Sequence, residues 1–567
     1  MEYLIAAGAL AILAFVIFVM EGYRNRQEKK RFVEYLYKDY HKLSQKEYKI
    51  ERFVRIPSFF ERHPKEGQID DITWNDLGMD DLFKRMNYTL SAAGEEYLYY
   101  TLRTLKSEES ELAHFDEVVE YFSNHADERV KLQLLFKKLG HTGKYSLYDY
   151  LDNLNILGER SNKKSIFMNL LFLPLIGFLF LPLENGLNFS LGILGIVFLI
   201  IYNIVTYFKE KGEIDPYITS FAYVLRLLEI SESVVKISVP PCSEEWESMR
   251  KAGKSMQTMR RNSYWVMSPY RNNTSGNILE VFFDYIRMIF HVDLIKFNSM
   301  LRILRNHVQD VDVLICAVGY LETAISVWAY RDSLHNGWCK PMFIKENVLD
   351  MQEGYHPMLE TPVKNSIRAE KGVLLTGSNA SGKSTFLKTV ALNAILGQAI
   401  YTCTADVFCS HIYQVYSSMS LRDDIDSGES YYIVEIKALK RIMDAVKNNK
   451  NILCFVDEVL RGTNTIERIA ASGQILKSLE VPGVLCFAAT HDIELTDILK
   501  NDYDNYHFEE EVRDGDVFFN YCLLPGKATT RNAIKLLELM GYEPEIIREA
   551  TKRAEYFTST GSWIKLP

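Results

Sequence analysis

The sequence lacks the features of a disulfide-rich, zinc-binding or strongly basic protein. Its eight cysteines are scattered over 567 residues without a C-x-x-C pair, which suits reduced thiols and argues against a disulfide framework or a zinc site. The net charge is −9, so no overall positive field indicates nucleic-acid binding, although a local basic stripe would suffice for it. We find neither an internal repeat nor a low-complexity tract. A chain of this length is expected to form roughly three or four domains.

What the sequence does contain is a phosphate-binding loop at residues 377–384, GSNASGKS, which fits the pattern G-x-x-x-x-G-K-[ST]. An apolar run at 372–376 predicts a strand before the loop, and residues 385–393 predict a helix after it. The glycines let successive backbone N–H groups surround a phosphate at the start of that helix. Lys383 would reach the β- and γ-phosphates, and Ser384 would offer a hydroxyl to Mg²⁺. We therefore predict that the chain binds a nucleoside triphosphate.

Two adjacent carboxylates follow a second apolar strand, predicted at residues 451–456. Side chains alternate along a strand, so Asp457 and Glu458 need not do the same work. We expect Asp457 to hold Mg²⁺ through water and Glu458 to polarise the attacking water. Alone, such a pair is weak evidence, but it is strong downstream of a phosphate loop.

A histidine follows a third strand, in the sequence Ala-Thr-His that ends at His491. A lone histidine at a strand end is more often structural than catalytic. However, ligands of open α/β sheets bind at the carboxyl ends of the strands. His491 could therefore hydrogen-bond the γ-phosphate or the lytic water.

Two further polar segments are ambiguous by themselves. Residues 426–430, DSGES, precede a predicted helix and could form an anion site, but Ser427 or Ser430 could equally be an ordinary N-cap. The same caution applies to the polar loop RGTNT at residues 461–465.

The chain changes character at about Phe343. Upstream it is mostly helical by pattern, with predicted helices that include 98–105, 112–122, 278–304 and 311–332. Downstream, short strands alternate with helices, which predicts an α/β domain with a parallel or mixed sheet. The predicted strands are 372–376, 451–456, 484–489 and 517–524. The predicted domains are an N-terminal anchor, two parts of a helical core separated by an apolar hairpin, and the α/β domain: 1–22, 23–165, 166–208, 209–342 and 343–567.

Three apolar segments, 4–20, 166–183 and 189–208, are each about long enough to cross a hydrocarbon core of roughly 30 Å. Basic residues follow the first, precede the second and follow the third. All of these fall on one side if the N-terminus and the loop 184–188 are outside. The sequence thus predicts a multi-pass membrane protein with its nucleotide domain in the cytoplasm. Alternatives are a cleaved signal peptide for the first segment and a buried helical pair for the other two.

Taken in order, these motifs resemble the ATPase domain of the MutS mismatch-repair family, a branch of the ABC-type ATPases. The resemblance covers residues from about 346 to 555. Asn379 fits the family's Gly-Pro-Asn-Met-x-Gly-Lys-Ser loop, residues 354–357 resemble its His-Pro segment, and residues 421–430 resemble its Asp-Asp-x-x-Ser-Gly-x-Ser stretch. The expected fold is an α/β ABC-type P-loop ATPase domain joined to a mostly helical core and lever, with three transmembrane helices.

The resemblance implies a dimer with composite sites for ATP and Mg²⁺, which close and open to move the helical levers. The implied catalytic residues are Glu458, His491 and Lys383, and the implied metal ligands are Ser384 and Asp457. The nucleotide-binding residues are Gly377, Ser378, Asn379, Ala380, Ser381, Gly382, Lys383, Ser384 and Thr385 of one subunit, with Ser427, Gly428 and Ser430 of the other.

The sequence departs from the family pattern in ways that bear on function. Ser378 replaces the usual proline, Ala380 the usual methionine and Ser381 a usual glycine or alanine, but backbone N–H groups still supply the phosphate contacts. No N-terminal mismatch-reading domain is expected. The favoured hypothesis is a membrane-anchored ATPase that acts on mismatched or branched DNA. One alternative is a membrane-anchored switch with a protein partner and no nucleic-acid role, and another is a transporter subunit.

Overall fold

The computed structural model describes residues 2–42, 47–156, 158, 160–181, 187–259, 278–378, 381–419, 431–448, 451–460, 463–513, 516–528, 534, 537–538 and 540–564. The chain forms two compact units. The first unit comprises residues 1–63, 87–100 and 117–329, and the second comprises 64–86, 101–116 and 330–567. Because the units interleave along the chain, the domain boundaries drawn from the sequence stay a prediction.

Helices make up most of the chain before residue 340, and they recur between the strands after it. In chain order they are α1 (Glu2–Lys38), α2 (Ile50–Phe53), α3 (Ser58–Arg62), α4 (Asp71–Asp76), α5 (Met79–Met86), α6 (Ala92–Arg103), α7 (Glu109–Asn124), α8 (Ala126–Leu139), α9 (Leu147–Ile156), α10 (Lys163–Leu170), α11 (Phe172–Leu179), α12 (Leu187–Val234), α13 (Ser243–Ser255), α14 (Ile278–Phe290), α15 (Val292–Asn306), α16 (Val308–Ser333), α17 (Lys383–Ile400), α18 (Tyr431–Asn448), α19 (Thr465–Ser478), α20 (Glu494–Ile498) and α21 (Pro544–Thr560).

The strands all lie in the second unit. They are β1 (Met342–Phe343), β2 (Leu349–Gly354), β3 (Asn365–Ala369), β4 (Gly372–Thr376), β5 (Val407–Ser410), β6 (Gln414–Ser418), β7 (Ile452–Asp457), β8 (Val484–Ala489), β9 (Tyr503–His507), β10 (Glu510–Arg513), β11 (Asp516–Phe519) and β12 (Leu524–Pro525).

Helices of the first unit bury apolar stripes with the period of an α-helix. In α15 the buried stripe is Leu294, Phe297, Leu301 and Leu304, a spacing of three or four residues that places them on one face. The sequence predicted one helix over 278–304, but His291 has a left-handed φ of 53° and separates α14 from α15. A local backbone conformation of this kind leaves no trace in the apolar periodicity.

The prediction of a multi-pass membrane protein with a cytoplasmic ATPase domain is wrong. In the described part of the chain two helices are long and apolar enough to cross a membrane, Phe189–Asp215 and Val308–Ser333. The second is the core helix α16, whose apolar window is 72% buried within the protein. Among the described residues this leaves one exposed helix long enough to cross a membrane. Residues 4–20 lie in α1, and their side chains are outside the described residues.

The apolar run 166–183 also fails as a span, because it forms two short helices. Helix α10 ends at Leu170 and α11 begins at Phe172, with eight residues in each. Pro174 lies in the first turn of α11. Proline has no backbone N–H and its ring clashes with the carbonyl group four residues earlier, so a continuous helix is interrupted before it. Apolar side chains of α10, α11 and the first half of α12 remain exposed, among them Leu173 (67%) and Phe198 (72%).

The second unit contains a six-stranded sheet in the order β12-β9-β4-β8-β7-β6. The strands are parallel except for β12, which is antiparallel to β9. Strands β4, β7 and β8 are buried along their whole length, as expected of parallel strands covered on both faces. Helix α17 packs against β6, β7 and β8, and α18 packs against β6 and β7. A second sheet has the order β1-β5-β2-β3, and β10 and β11 form a hairpin.

Helix α4 packs within the same unit on the edge strand β6. Asp76, which is 2% exposed, accepts hydrogen bonds from Ser417 Oγ at 2.7 Å and from Met419 N at 2.9 Å. Arg441 of α18 joins the contact by donating to Asp70 Oδ1 and to Ser417 O, both at 2.5 Å. A helix from early in the chain thus covers the outer edge of the sheet.

Candidate functional site

The predicted site residues meet at the carboxyl edge of the six-stranded sheet. In the strand register, Leu375 of β4 and Asp457 of β7 both pair with Ala489 of β8. The predicted phosphate loop at Gly377 and the segment that carries His491 therefore leave the sheet side by side. This is the edge at which open parallel sheets bind ligands.

The loop after β4 depends on two glycines in the left-handed region of backbone space. Gly377 has φ 144° and Gly382 has φ 108°. A Cβ atom on Gly377 would lie 2.7 Å from the carbonyl oxygen of Phe508, so no other residue fits without displacing backbone. Between them, Asn379 and Ala380 lie outside the described residues.

Lys383 begins helix α17 and turns its side chain back into the loop. Its Nζ donates to Gly377 O at 2.8 Å and to Ser378 O at 2.7 Å, and the residue is 5% exposed. The ammonium group is thus placed inside the concave side of the loop. A phosphate bound there would meet this charge and the start of α17 together.

The two serines that replace the usual residues of the family pattern have different surroundings. Ser378 Oγ donates to Glu510 Oε2 at 2.7 Å, which ties the loop to the hairpin strand β10. Ser381 Oγ is buried and makes no hydrogen bond within the described part of the chain. Sequence reasoning missed Glu510, because 132 residues separate it from Ser378 and no motif marks it.

Ser384 and Asp457, the two predicted ligands of Mg²⁺, are in direct contact. Ser384 Oγ donates to Asp457 Oδ2, and Asp457 is only 6% exposed at the end of β7. A hydroxyl and a carboxylate are the hard oxygen ligands that Mg²⁺ prefers.

Glu458 and His491 form a second pair beside the first. His491 Nδ1 lies 3.4 Å from Glu458 Oε2, and the hydrogen bond to Glu458 raises the pKa of His491, with further electrostatic support from Glu458 and Asp492. Glu458 itself has a left-handed φ of 60°, and its N–H donates to Ala489 O at 2.9 Å. Such strain costs of order 1–3 kcal/mol and clusters at functional sites.

Asp492, next to His491, is held by an ion pair that no sequence motif indicated. Arg468 of α19 donates to both of its carboxylate oxygens, Nε to Oδ2 at 2.9 Å and Nη2 to Oδ1 at 2.7 Å. A bidentate pair of this kind fixes geometry as well as charge. It anchors the segment that carries His491.

A cavity of about 510 Å³ opens next to these groups, within the usual size range of small-molecule sites. Burial, with Lys388 and Arg85 nearby, lowers the pKa of His356 to about 4, so this ring is neutral at pH 7. The lining of the cavity combines predicted site residues with others that no motif indicated. The lining residues are Gly354, His356, Leu359, Thr361, Val363, Asn365, Ser381, Gly382, Lys383, Ser384, Thr385, Phe386, Thr389, Glu458, Phe508 and Tyr521.

The remaining predicted nucleotide contacts cannot be placed. Ser427, Gly428 and Ser430 lie outside the described residues, which resume at Tyr431 with α18. Their assignment to the second subunit of a dimer stays a prediction.

Comparisons with known proteins agree with the motifs. The family described as MutS domain V matches residues 373–558. The DNA mismatch repair protein MutS of Lactobacillus acidophilus is 32% identical over 243 residues, which are 40% of this chain and 28% of that protein. MutS of Pseudothermotoga lettingae is 31% identical over 238 residues, 40% of this chain and 29% of that protein. MutS of Lactobacillus delbrueckii subsp. bulgaricus is 26% identical over 279 residues, 47% and 32%.

The chain thus covers about a third or less of the length of these relatives. Their names refer to DNA mismatch repair. The matched region contains the predicted phosphate loop, the carboxylate pair and the segment of His491. Over residues 373–558 the chain is thus similar to domain V of the MutS family.

Proposed function

We propose that the chain is an ATPase of the MutS type that binds ATP with Mg²⁺ and hydrolyses it. The observation that carries this proposal is the meeting of two polar pairs, Ser384 with Asp457 and Glu458 with His491, at one edge of the sheet. A lysine inside a glycine-bounded loop lies next to them. Together these groups supply phosphate binding, metal ligation and water activation.

Each residue has a defined task in this scheme. Lys383 binds the β- and γ-phosphates electrostatically, and backbone N–H groups of residues 377–385 surround them. Ser384 and Asp457 hold Mg²⁺, which when bound neutralises charge on the phosphate oxygens. Glu458 Oε2 accepts the proton of the attacking water. His491, whose raised pKa favours the protonated ring, hydrogen-bonds Glu458 and stabilises charge beside it.

We further propose that two chains close over ATP, with Ser427, Gly428 and Ser430 of one contacting the nucleotide of the other. ATP would favour closure because it binds the closed state more tightly than the open state. The relatives are named for DNA mismatch repair, so DNA, mismatched or branched, is the first candidate effector. The net charge of −9 favours a second candidate, a switch that acts on a protein partner without nucleic acid.

The test is steady-state ATP hydrolysis by the full chain, with and without duplex, mismatched and branched DNA at low salt. Loss of the general base in Glu458→Gln should lower kcat by about 10²–10⁴-fold, while ATP binding persists and dimers accumulate. Glu467→Gln, on the nearby helix α19, is the matched control and should hydrolyse at the normal rate.

The outcomes separate the parts of the proposal. Unchanged turnover in Glu458→Gln would remove Glu458 from its role as base. Normal hydrolysis with no binding to any DNA would leave the ATPase proposal standing and eliminate the DNA effector. DNA binding whose affinity falls steeply with salt would support it.

A further inference from the structure

Three potential metal ligands converge within the first unit, far from the ATPase site in sequence. They are His63, just after α3, and Asp312 and Cys316 on α16. Their ligand atoms all lie within 4.8 Å of one another, and His63 Nε2 lies 3.0 Å from Asp312 Oδ2. Asp312 and Cys316 are four residues apart, so they share one face of the helix. Among the described residues, this group alone brings His, Cys and carboxylate atoms so close.

The histidine is held in the orientation of a metal ligand. Its Nδ1 lies 2.8 Å from the carbonyl oxygen of Phe59. A carbonyl only accepts, so Nδ1 carries a proton, and Nε2 is the ring nitrogen that would supply a lone pair to a metal ion. The ring also stacks on Phe59, with centroids 4.2 Å apart and planes 18° from parallel. A backbone hydrogen bond at the far ring nitrogen is the usual outer support of a metal-bound histidine.

The aspartate is supported in the same way. Tyr148 donates its hydroxyl to Asp312 Oδ1, which leaves Oδ2 directed at His63 Nε2. His63 Nε2 and Asp312 Oδ2 lie 3.0 Å apart and thus face the same space. The thiol of Cys316 on the same face completes a set of metal-binding groups, because a thiolate adds a strong soft ligand.

Solvent access and geometry suit the entry of an ion. The side chains of His63 and Asp312 are 26% and 31% exposed, and Cys316 is partly buried. Tetrahedral Zn²⁺ places N, O and S ligands about 3.4–3.6 Å apart, so shifts of roughly 1 Å or less in these side chains would complete the site. The nearby cation Arg62 is engaged by Asp152.

We propose that His63 Nε2, Asp312 Oδ2 and Cys316 Sγ bind one transition-metal ion of the zinc class, with water at the fourth position. Three protein ligands with an open position are the pattern of exchangeable or catalytic zinc sites, whereas purely structural sites have four. The scattered cysteines had argued against zinc. That argument considered only ligands that are close together in the sequence, whereas 249 residues separate His63 from Asp312.

Cobalt binding to the full-length protein tests the site without reference to ATP hydrolysis. One equivalent of Co²⁺ should produce a thiolate-to-metal charge-transfer band, and Zn²⁺ should displace it. The band should disappear in Cys316→Ser and persist in Cys522→Ser, a control at an exposed cysteine. His63→Gln, Asp312→Asn and Tyr148→Phe should each weaken metal affinity by about 10–100-fold. His307→Gln is the matched control, because His307 pairs with Asp310 at 2.7 Å and no cysteine of the described segments joins them.

A second measurement needs no variant and therefore survives a folding defect. In the native protein, Zn²⁺ should slow alkylation of Cys316 by iodoacetamide about tenfold or more, as read from peptide mass spectrometry, and leave Cys522 unaffected. Equal alkylation of Cys316 with and without Zn²⁺ would overturn the proposal. So would a cobalt band that persists in Cys316→Ser, or a stoichiometry far below one. In those cases the group is a histidine–aspartate ion pair only.

Discussion

The contact between α4 and the edge of the sheet leads to a prediction whose size follows from its hydrogen bonds. Asp76→Ala removes the acceptor of two buried donors, Ser417 Oγ and Met419 N. A buried polar group left without a partner costs about 1–3 kcal/mol, so docking of β6 should lose about 2–6 kcal/mol. Even the lower value raises the local opening equilibrium about 30-fold, since about 1.4 kcal/mol is a factor of ten.

Hydrogen exchange measured by mass spectrometry is the direct assay. Amides of β6, residues 414–418, should exchange about 30-fold faster or more in Asp76→Ala than in the wild type. Both donors meet the same oxygen, Oδ2, so Asp76→Asn, which keeps one acceptor oxygen, should have a smaller effect than Asp76→Ala.

The control is Asp81→Ala on α5, where the carboxylate side chain is 70% exposed and its loss should cost less than about 1 kcal/mol. If β6 exchanges at the same rate in Asp76→Ala as in Asp81→Ala, the buried aspartate does not fasten the edge strand. The reasoning from unpaired donors would then be refuted.

Three other changes test the site. Ser384→Ala should weaken Mg²⁺-dependent ATP binding about 10–100-fold and leave binding in EDTA unchanged; isothermal titration in both buffers separates a metal ligand from a general packing defect. Gly377→Ala places a Cβ atom 2.7 Å from Phe508 O and should cost about 1–3 kcal/mol of stability and much of the ATP affinity. The control Gly473→Ala, where the nearest neighbours of a Cβ lie at 3.5 Å, should be tolerated. Equal melting temperatures of the two variants would argue against backbone strain at Gly377. The pKa of His491 is raised in the fold, so the stability it contributes is present below about pH 6.5 and is lost as pH rises through the folded pKa. The difference in Tm between wild type and His491→Gln should therefore be larger at about pH 6 than at pH 8. The difference should be small, because the His491 side chain is 45% exposed. A difference that does not change with pH would contradict the pairing of His491 with Glu458.

Local features of the second unit could be predicted from the sequence because they depend on neighbours along the chain. The strand predicted at 372–376 is observed as β4 with the same bounds, and the strand ending in the carboxylate pair is observed at Ile452–Asp457. Parallel strands bring their carboxyl ends to one edge, so contacts such as Ser384 with Asp457 follow from the topology. The strand predicted at 517–524 is instead two short strands, β11 and β12, in different sheets.

Contacts between distant residues could not be predicted in this way. Asp76 meets Ser417 across 341 positions, and Glu510 meets Ser378 across 132. Nothing in the local pattern of a single chain encodes such pairs. The membrane prediction failed for a different reason, because hydropathy records how apolar a run is but not whether it forms one helix. The apolar run 166–183 is divided into the short helices α10 and α11.

Helix α12 has one further consequence. It runs without interruption for 48 residues, about 72 Å at 1.5 Å per residue, yet its two halves have unequal support. Phe189 and Phe198 near its start are 58% and 72% exposed, whereas Ile214 and Phe221 are 1% and 0% exposed. Because tertiary packing supplies most of a helix's stability, the leading half should fray and be cut by proteases while the trailing half holds. The two halves of one continuous helix thus differ in local stability.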